Sequence, residues 1–200
     1  MSRSPTLEVL LICTIVFIIQ SLIGVFSAAL ATGLFALAPP FVVNPWGLIT
    51  SVYAHSGVGH YTANMIALVL FGLLVERRTT RARFHVFFLS VGVLAGVSEV
   101  FISGVIGGPA GVIGASGAIF GLLGYLLAGN IVSQAVFRSI ELSGRAQFGL
   151  FVVIALLVTI ATGRPGVALI AHFTGLILGL LAGYIGLLDV RQPVSERPIR

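Results

Sequence analysis

Residues 84–106 read FHVFFLSVGVLAGVSEVFISGVI, an apolar stretch that contains one acid, Glu99. A helix crossing a bilayer needs about 20 predominantly apolar residues, and this stretch supplies them. The pattern repeats outward in both directions. Before it lies the charged connection Glu76-Arg77-Arg78-Thr79-Thr80-Arg81-Ala82-Arg83, and after it the turn Gly107-Gly108-Pro109. The same reading gives six segments of spanning character, roughly at 9–33, 57–75, 84–106, 115–136, 147–163 and 166–188. The whole chain agrees, with 58% hydrophobic and 8% charged residues, where soluble domains carry about 25% charge. The expected fold is therefore all-α, a polytopic membrane protein built as a six-helix bundle. A single domain over 1–200 accounts for the length, with its core at about 45–188 and a short cytoplasmic tail at 189–200.

The net charge of +5 comes entirely from arginine, because lysine is absent. These arginines sit in short clusters between apolar runs, the pattern of membrane loops, and not on a basic face for nucleic acid. Those near residues 3, 77–83, 138–145 and 191–200 fall on one side of a six-span topology, and only Arg164 falls on the other. The positive side faces the cytoplasm, so both termini are expected there, in a multi-pass protein of the cell membrane. The first apolar run, from about Val9 to Ala38, exceeds the apolar region of a signal peptide, about 7–15 residues. Despite the small residues Ser27-Ala28-Ala29 it reads as a retained span. Cys13 is the sole cysteine, and HExxH and clustered carboxylates are absent, so no metal and no cofactor are expected.

Polar groups inside spans cost free energy and tend to mark function. The search narrows to His60, Asn64, Glu99, Ser116 and His172. Gly114-Ala115-Ser116-Gly117 follows a glycine-rich loop and opens an uninterrupted helical pattern. Ser116 thus sits at or just inside a helix N-terminus, where free N–H groups and a positive partial charge can stabilise an oxyanion. Taken alone, the string also fits an N-cap or a packing serine. His172 lies a few residues inside the outer end of the last span, in Ala171-His172-Phe173-Thr174-Gly175 and on to Gly179. Gly175 and Gly179 follow at i+3 and i+7 on the same face, and their GxxxG step lets a neighbouring backbone approach closely. A histidine there is either a general base for the serine or a buried side chain bonded to a carbonyl. His60 and Asn64, at i and i+4 near the outer end of the second span, share a face. They can donate to a developing negative charge or bond a neighbouring helix. His55 falls about 140° away around a helix and reads as interfacial. Glu99 faces a water-filled cavity or reaches the interface. No loop aspartate lies on this side, since Asp189 is at the other end of the last span, so the arrangement favours a Ser-His dyad over a triad.

Together, Trp46-Gly47-Leu48-Ile49-Thr50-Ser51 leading to His55, His60-x-x-x-Asn64, Gly114-Ala115-Ser116-Gly117 and Ala171-His172-x-x-Gly175-x-x-x-Gly179 resemble the rhomboid family of intramembrane serine proteases. The resemblance runs from about Pro45 to Gly186, and Glu76-Arg77-Arg78 at the end of the second span fits it too. It implies that Ser116 is the nucleophile and His172 the base and acid. His60, Asn64 and the Ser116 N–H would form the oxyanion hole, with Gly114, Phe120, Gly175 and Gly179 as active-site packing. Phe120 stands where the family often has tyrosine, so a hydroxyl contact is lost and ring packing is kept. Gly47 follows Trp46 where the family usually has arginine, and the first outer loop, roughly 34–56, is short. Both departures bear on the membrane-dipping role of that loop in relatives and not on the dyad.

The implied activity is cleavage of transmembrane segments of membrane proteins, with small or helix-breaking residues near the cut. Water must reach such a site, so a polar cavity open to the non-cytoplasmic side is expected. Gly163-Arg164-Pro165-Gly166 lies just above His172 in sequence, and its glycines allow it to move as a cap. The partners are then the lipid bilayer and a helix-destabilised substrate segment, with no nucleic acid. Two other functions fit parts of the pattern. A catalytically silent rhomboid-fold protein that binds membrane clients needs none of the four polar residues. A small proton-linked transporter would use Glu99, His60 and His172 as a proton path, but the repeats such carriers show are absent.

Overall fold

A computed structural model describes residues 4–107, 111–129, 143–163 and 166–190. Helix α1, Pro5–Phe26, opens with Ser4 as its cap, whose hydroxyl accepts from the Leu7 N–H, and with proline at its first position. Both are favoured start signals. The helix stops at Ser27 and does not run on to residue 33 as the apolar pattern suggested. Ser27 adopts extended backbone and its side chain accepts from the Leu30 N–H, so it ends α1 and caps α2, Ala28–Phe35. A serine that bonds nearby backbone competes with the continuing helix, and hydropathy alone does not register that. A short α3, Gly47–Tyr53, follows in the first outer loop.

The remaining helices are α4, Val58–Glu76, α5, Arg81–Ile106, α6, Ser116–Gly129, α7, Gly144–Ala161, and α8, Leu169–Tyr184. Thr80 caps α5 by accepting from the Arg83 N–H, and Gly107 ends it in the left-handed conformation, the usual glycine stop. Helices α1, α4, α5 and α7 are long and apolar enough to cross a membrane. Helices α6 and α8, with 14 and 16 residues, are the shorter apolar members. The chain is an all-helical integral membrane protein with these six helices as its bundle. The only β pairing among the described residues is the isolated bridge Leu37–Val112.

The start of α1, the α4–α5 turn, the end of α6 and the segment after α8 meet at one end of the bundle. Ser4 Oγ donates to Glu76 at 2.6 Å, Arg81 pairs with Glu8 at 2.7 Å and His85 reaches the same carboxylate at 2.8 Å. Arg78 donates to the Gly129 carbonyl at 2.6 Å, and the Tyr125 hydroxyl donates to Asp189 at 2.6 Å. Residues 77–83 thus share this end with the start of α1 and with Asp189. Arg3, Gly108, Pro109, Arg138, Arg164, Pro165 and residues 191–200, with the 130–136 end of the expected fourth span, lie outside the described residues.

Helix α6 is the centre of the bundle. Gly117 and Gly121 accept Ala95 and Val91 of α5 on one flank. On the other flank α6 meets α8 in the most extensive helix–helix contact of the fold. A methyl group on Gly175 would overlap the Gly117 carbonyl, and one on Gly179 would overlap the Gly121 carbonyl. Both glycine rows recur every four residues, so each forms one ridge along its helix. In lipid, where apolar burial drives little association, close backbone packing of this kind holds helices together. Replacing Gly179 by valine is therefore expected to destabilise the protein by about 1–3 kcal/mol or more through overpacking. Gly104→Ala, on a surface with nothing within 4 Å, should change stability by no more than about 0.5 kcal/mol or raise it slightly. Unfolding in detergent, followed for both variants, measures the contrast.

Candidate active site

The loop between α5 and α6 is held before it delivers Ser116. Leu37 and Val112 exchange backbone hydrogen bonds of 2.9 Å, and the Gly114 N–H donates to the Ser51 carbonyl at 2.9 Å. Gly114 has φ +138°, and a Cβ there would lie 2.6 Å from His60 Cε1. Glycine is thus required twice, by the backbone and by the imidazole pressed against it. Two residues later Ser116 begins α6, as the sequence placed it, half-buried at the helix start. Ser116, Gly114, Ser51 and Ala171 line a cavity of about 10 Å³, the space of about one water molecule.

His172 is the fourth residue of α8 and is buried. Its ring stacks on Phe120, with centroids 4.1 Å apart and planes 20° apart. Phe120 stands one turn after Ser116, on the same face of α6, so the imidazole lies over the face that carries the serine. Gly117 packs against Ala171, with 3.5 Å from its Cβ position to the Ala171 carbonyl. The α6 and α8 backbones thus approach each other beside the pair. His172 Nδ1 is buried and has no hydrogen-bond partner among the described residues. Packing therefore orients this ring. Among the described residues no hydrogen bond joins Ser116 to His172; such bonds are often long in ligand-free enzymes and shorten in the complex.

His60 and Asn64 lie on α4. His60 shares a hydrogen bond of 3.0 Å between Nδ1 and Ser56 Oγ, while its Nε2 edge faces Gly114. The loop that precedes Ser116 is therefore in contact with this ring. Asn64 is buried, and its amide donates to the His60 carbonyl at 2.9 Å. His55 requires a correction. It is not interfacial but buried, with its ring edge-on to His60 at 5.3 Å and to Tyr61 at 5.5 Å. Residues 54–57 are not helical, so counting 100° per residue from His55 to His60 does not apply. Sequence reading quoted Ser51 without a role and missed Ser56, an ordinary loop serine with no distinguishing spacing.

Glu99 neither lines open water nor reaches the interface. It is buried on α5, where one carboxylate oxygen accepts from Ser103 Oγ at 2.9 Å and the other from the Ala171 N–H at 2.9 Å. Among the described residues no three His, Cys, Asp or Glu side chains gather as metal ligands. What the site offers chemically is a hydroxyl at a helix N-terminus, a packed imidazole over the same face, and a second imidazole against the intervening loop.

The family model for the Rhomboid domain matches residues 43–189. The chain is similar to RHOMBOID-like protein 6, mitochondrial, of Arabidopsis thaliana, with 29% identity over 152 residues covering 76% of this chain and 47% of the plant protein. RHOMBOID-like protein 5 of the same plant is 31% identical over 145 residues, covering 72% of this chain and 44% of that protein. The Rhomboid protease GluP of Bacillus subtilis (strain 168) is 35% identical over 92 residues, covering 46% of this chain and 17% of that protein. The chain spans under half the length of these plant relatives.

Gly114→Ala should test how the loop is set. Its strained backbone alone is expected to cost about 1–3 kcal/mol, and the clash should displace the His60 ring. Unfolding measurements together with the histidine ring signals in NMR report the two effects separately.

Proposed function

The chain belongs to the rhomboid family, and from that premise we propose that it is an intramembrane serine endopeptidase that cleaves transmembrane segments of membrane proteins with Ser116 and His172. The observation that carries the reading is the stacking of His172 on Phe120, one turn along the helix that Ser116 begins. That arrangement lays an imidazole over the helix face that carries the hydroxyl.

In the proposed reaction Ser116 Oγ attacks a peptide carbonyl while His172 takes its proton. The new C–O bond makes a tetrahedral intermediate whose oxyanion the Ser116 N–H, His60 and Asn64 would stabilise. The C–N bond then breaks and His172 gives its proton to the leaving amine. Water, deprotonated by His172, attacks the acyl-enzyme; the C–O bond to Ser116 breaks, the new carboxyl terminus leaves, and His172 returns the proton to Ser116 Oγ. The Asn64 amide carries two N–H donors and spends one on the His60 carbonyl, so the second is left to serve the oxyanion. A hydrogen-bonded substrate helix hides its carbonyls, so a segment with small or helix-breaking residues is the substrate this chemistry prefers.

The arginines Arg77, Arg78, Arg81 and Arg83 lie at the end of α4 and start of α5, and Ser116 follows the other end of α5. With the positive end cytoplasmic, the site faces the non-cytoplasmic side and both termini are cytoplasmic, in the cell membrane by this reading. A second reading, a catalytically silent binder of membrane clients, draws on the missing Ser116–His172 hydrogen bond.

Fluorophosphonate labelling of the detergent-solubilised protein separates the two. The protease reading expects labelling at Ser116, lost in Ser116→Ala and reduced to background in His172→Ala. Labelling that persists in Ser116→Ala overturns the nucleophile assignment. Wild-type protein that is neither labelled nor able to cut a panel of transmembrane substrates supports the silent binder. Asn64→Ala should lower kcat by about 10²–10³, the usual loss for one oxyanion donor.

A further inference from the structure

Helix α8 begins without a cap of its own. Ala168 occupies the cap position and makes no side-chain hydrogen bond there, and alanine ranks among the poorest cap residues. The first intrahelical bond is that of the His172 N–H to the Ala168 carbonyl, at 3.1 Å. The N–H groups before it need partners from elsewhere. The Ala171 N–H finds one on another helix, Glu99 of α5, which lies 72 residues earlier in the chain. The second carboxylate oxygen accepts from Ser103, one turn further along α5. Both oxygens of a buried acid are thereby satisfied, and its position suits the positive end of α8.

We propose that Glu99 is a positioning residue for His172, capping α8 from α5 and fixing the first turn that carries the imidazole. The inference rests on the protease reading of Ser116 and His172. His172 has stacking on Phe120 but no hydrogen bond to hold it at Nδ1, so its direction depends on where its backbone stands. A first turn with unpaired N–H groups frays, and its fourth residue moves with it. The role needs an acceptor and not a charge. Glutamine keeps a carbonyl for the Ala171 N–H, and its NH₂ can donate to Ser103 Oγ. Leucine keeps the bulk and removes the acceptor.

The test compares the full chain in detergent as wild type, Glu99→Gln and Glu99→Leu, well below each unfolding temperature. Hydrogen exchange at the Ala171 and His172 amides reads the cap directly. The rate constant of Ser116 phosphonylation, and kcat and KM on a transmembrane substrate, read its effect on the site. The Leu variant should exchange at that turn more than tenfold faster and lose at least tenfold in phosphonylation and kcat, with KM within about twofold. The Gln variant should recover all three to within about threefold. Wild-type exchange in the Leu variant, or acceleration spread equally over all helices, overturns the proposal, as does failure of Gln to rescue. If the Leu variant does not fold, Glu99→Asp, too short to reach Ala171, takes its place with the same expectations. Wild-type protein that is not labelled at Ser116 overturns the protease reading and the catalytic role of Glu99 with it. Turn-specific exchange in that case shows that the cap itself stands, so the two failures are told apart.

Discussion

Backbone meets backbone where Gly117 and Gly121 of α6 face Gly175 and Gly179 of α8, and the rest of the site is arranged around that approach. Side chains on facing helices reach each other only if the axes come close enough. A single added methyl on either α8 glycine would hold them apart. With the helices in contact, Phe120 projects from α6 onto the His172 ring, and the start of α6 stands beside the first turn of α8.

Polar contacts then hold the two ends of the bundle. At the arginine end, Glu76, Glu8 and Asp189 tie α1, α4, α5 and the segment after α8 together. At the other end the Leu37–Val112 bridge and the Gly114–Ser51 hydrogen bond hold the loop before Ser116 against the first outer loop. The loop bonds join backbone groups, which need partners wherever water is excluded, while the exposed Arg81–Glu8 pair contributes little by itself. The proposed chemistry is placed between a rigid helix pair and a braced loop.

Much of this was legible in the sequence because hydropathy and helical spacing are local. Six apolar runs, Ser116 at a helix start, and Gly175 and Gly179 on the face of His172 follow from counting residues. The break at Ser27 was hidden, since the apolar run continues across it and only the serine's bond to Leu30 marks the end. His55 was misplaced because a helical count was carried through non-helical residues. The partner of Glu99 was beyond reach, as nothing near residue 99 announces an N–H at residue 171. Local patterns thus named the candidate residues, while the contacts that orient them join positions far apart in the chain.

The central claim is that Ser116 performs hydrolysis inside the membrane. The most direct measurement reconstitutes the protein with a transmembrane substrate in vesicles and maps the products by mass spectrometry. The account predicts that wild-type protein cuts a peptide bond within the apolar segment and that Ser116→Ala, equally folded, cuts none. Cleavage of the same bond by the Ser116→Ala protein at an undiminished rate would contradict it.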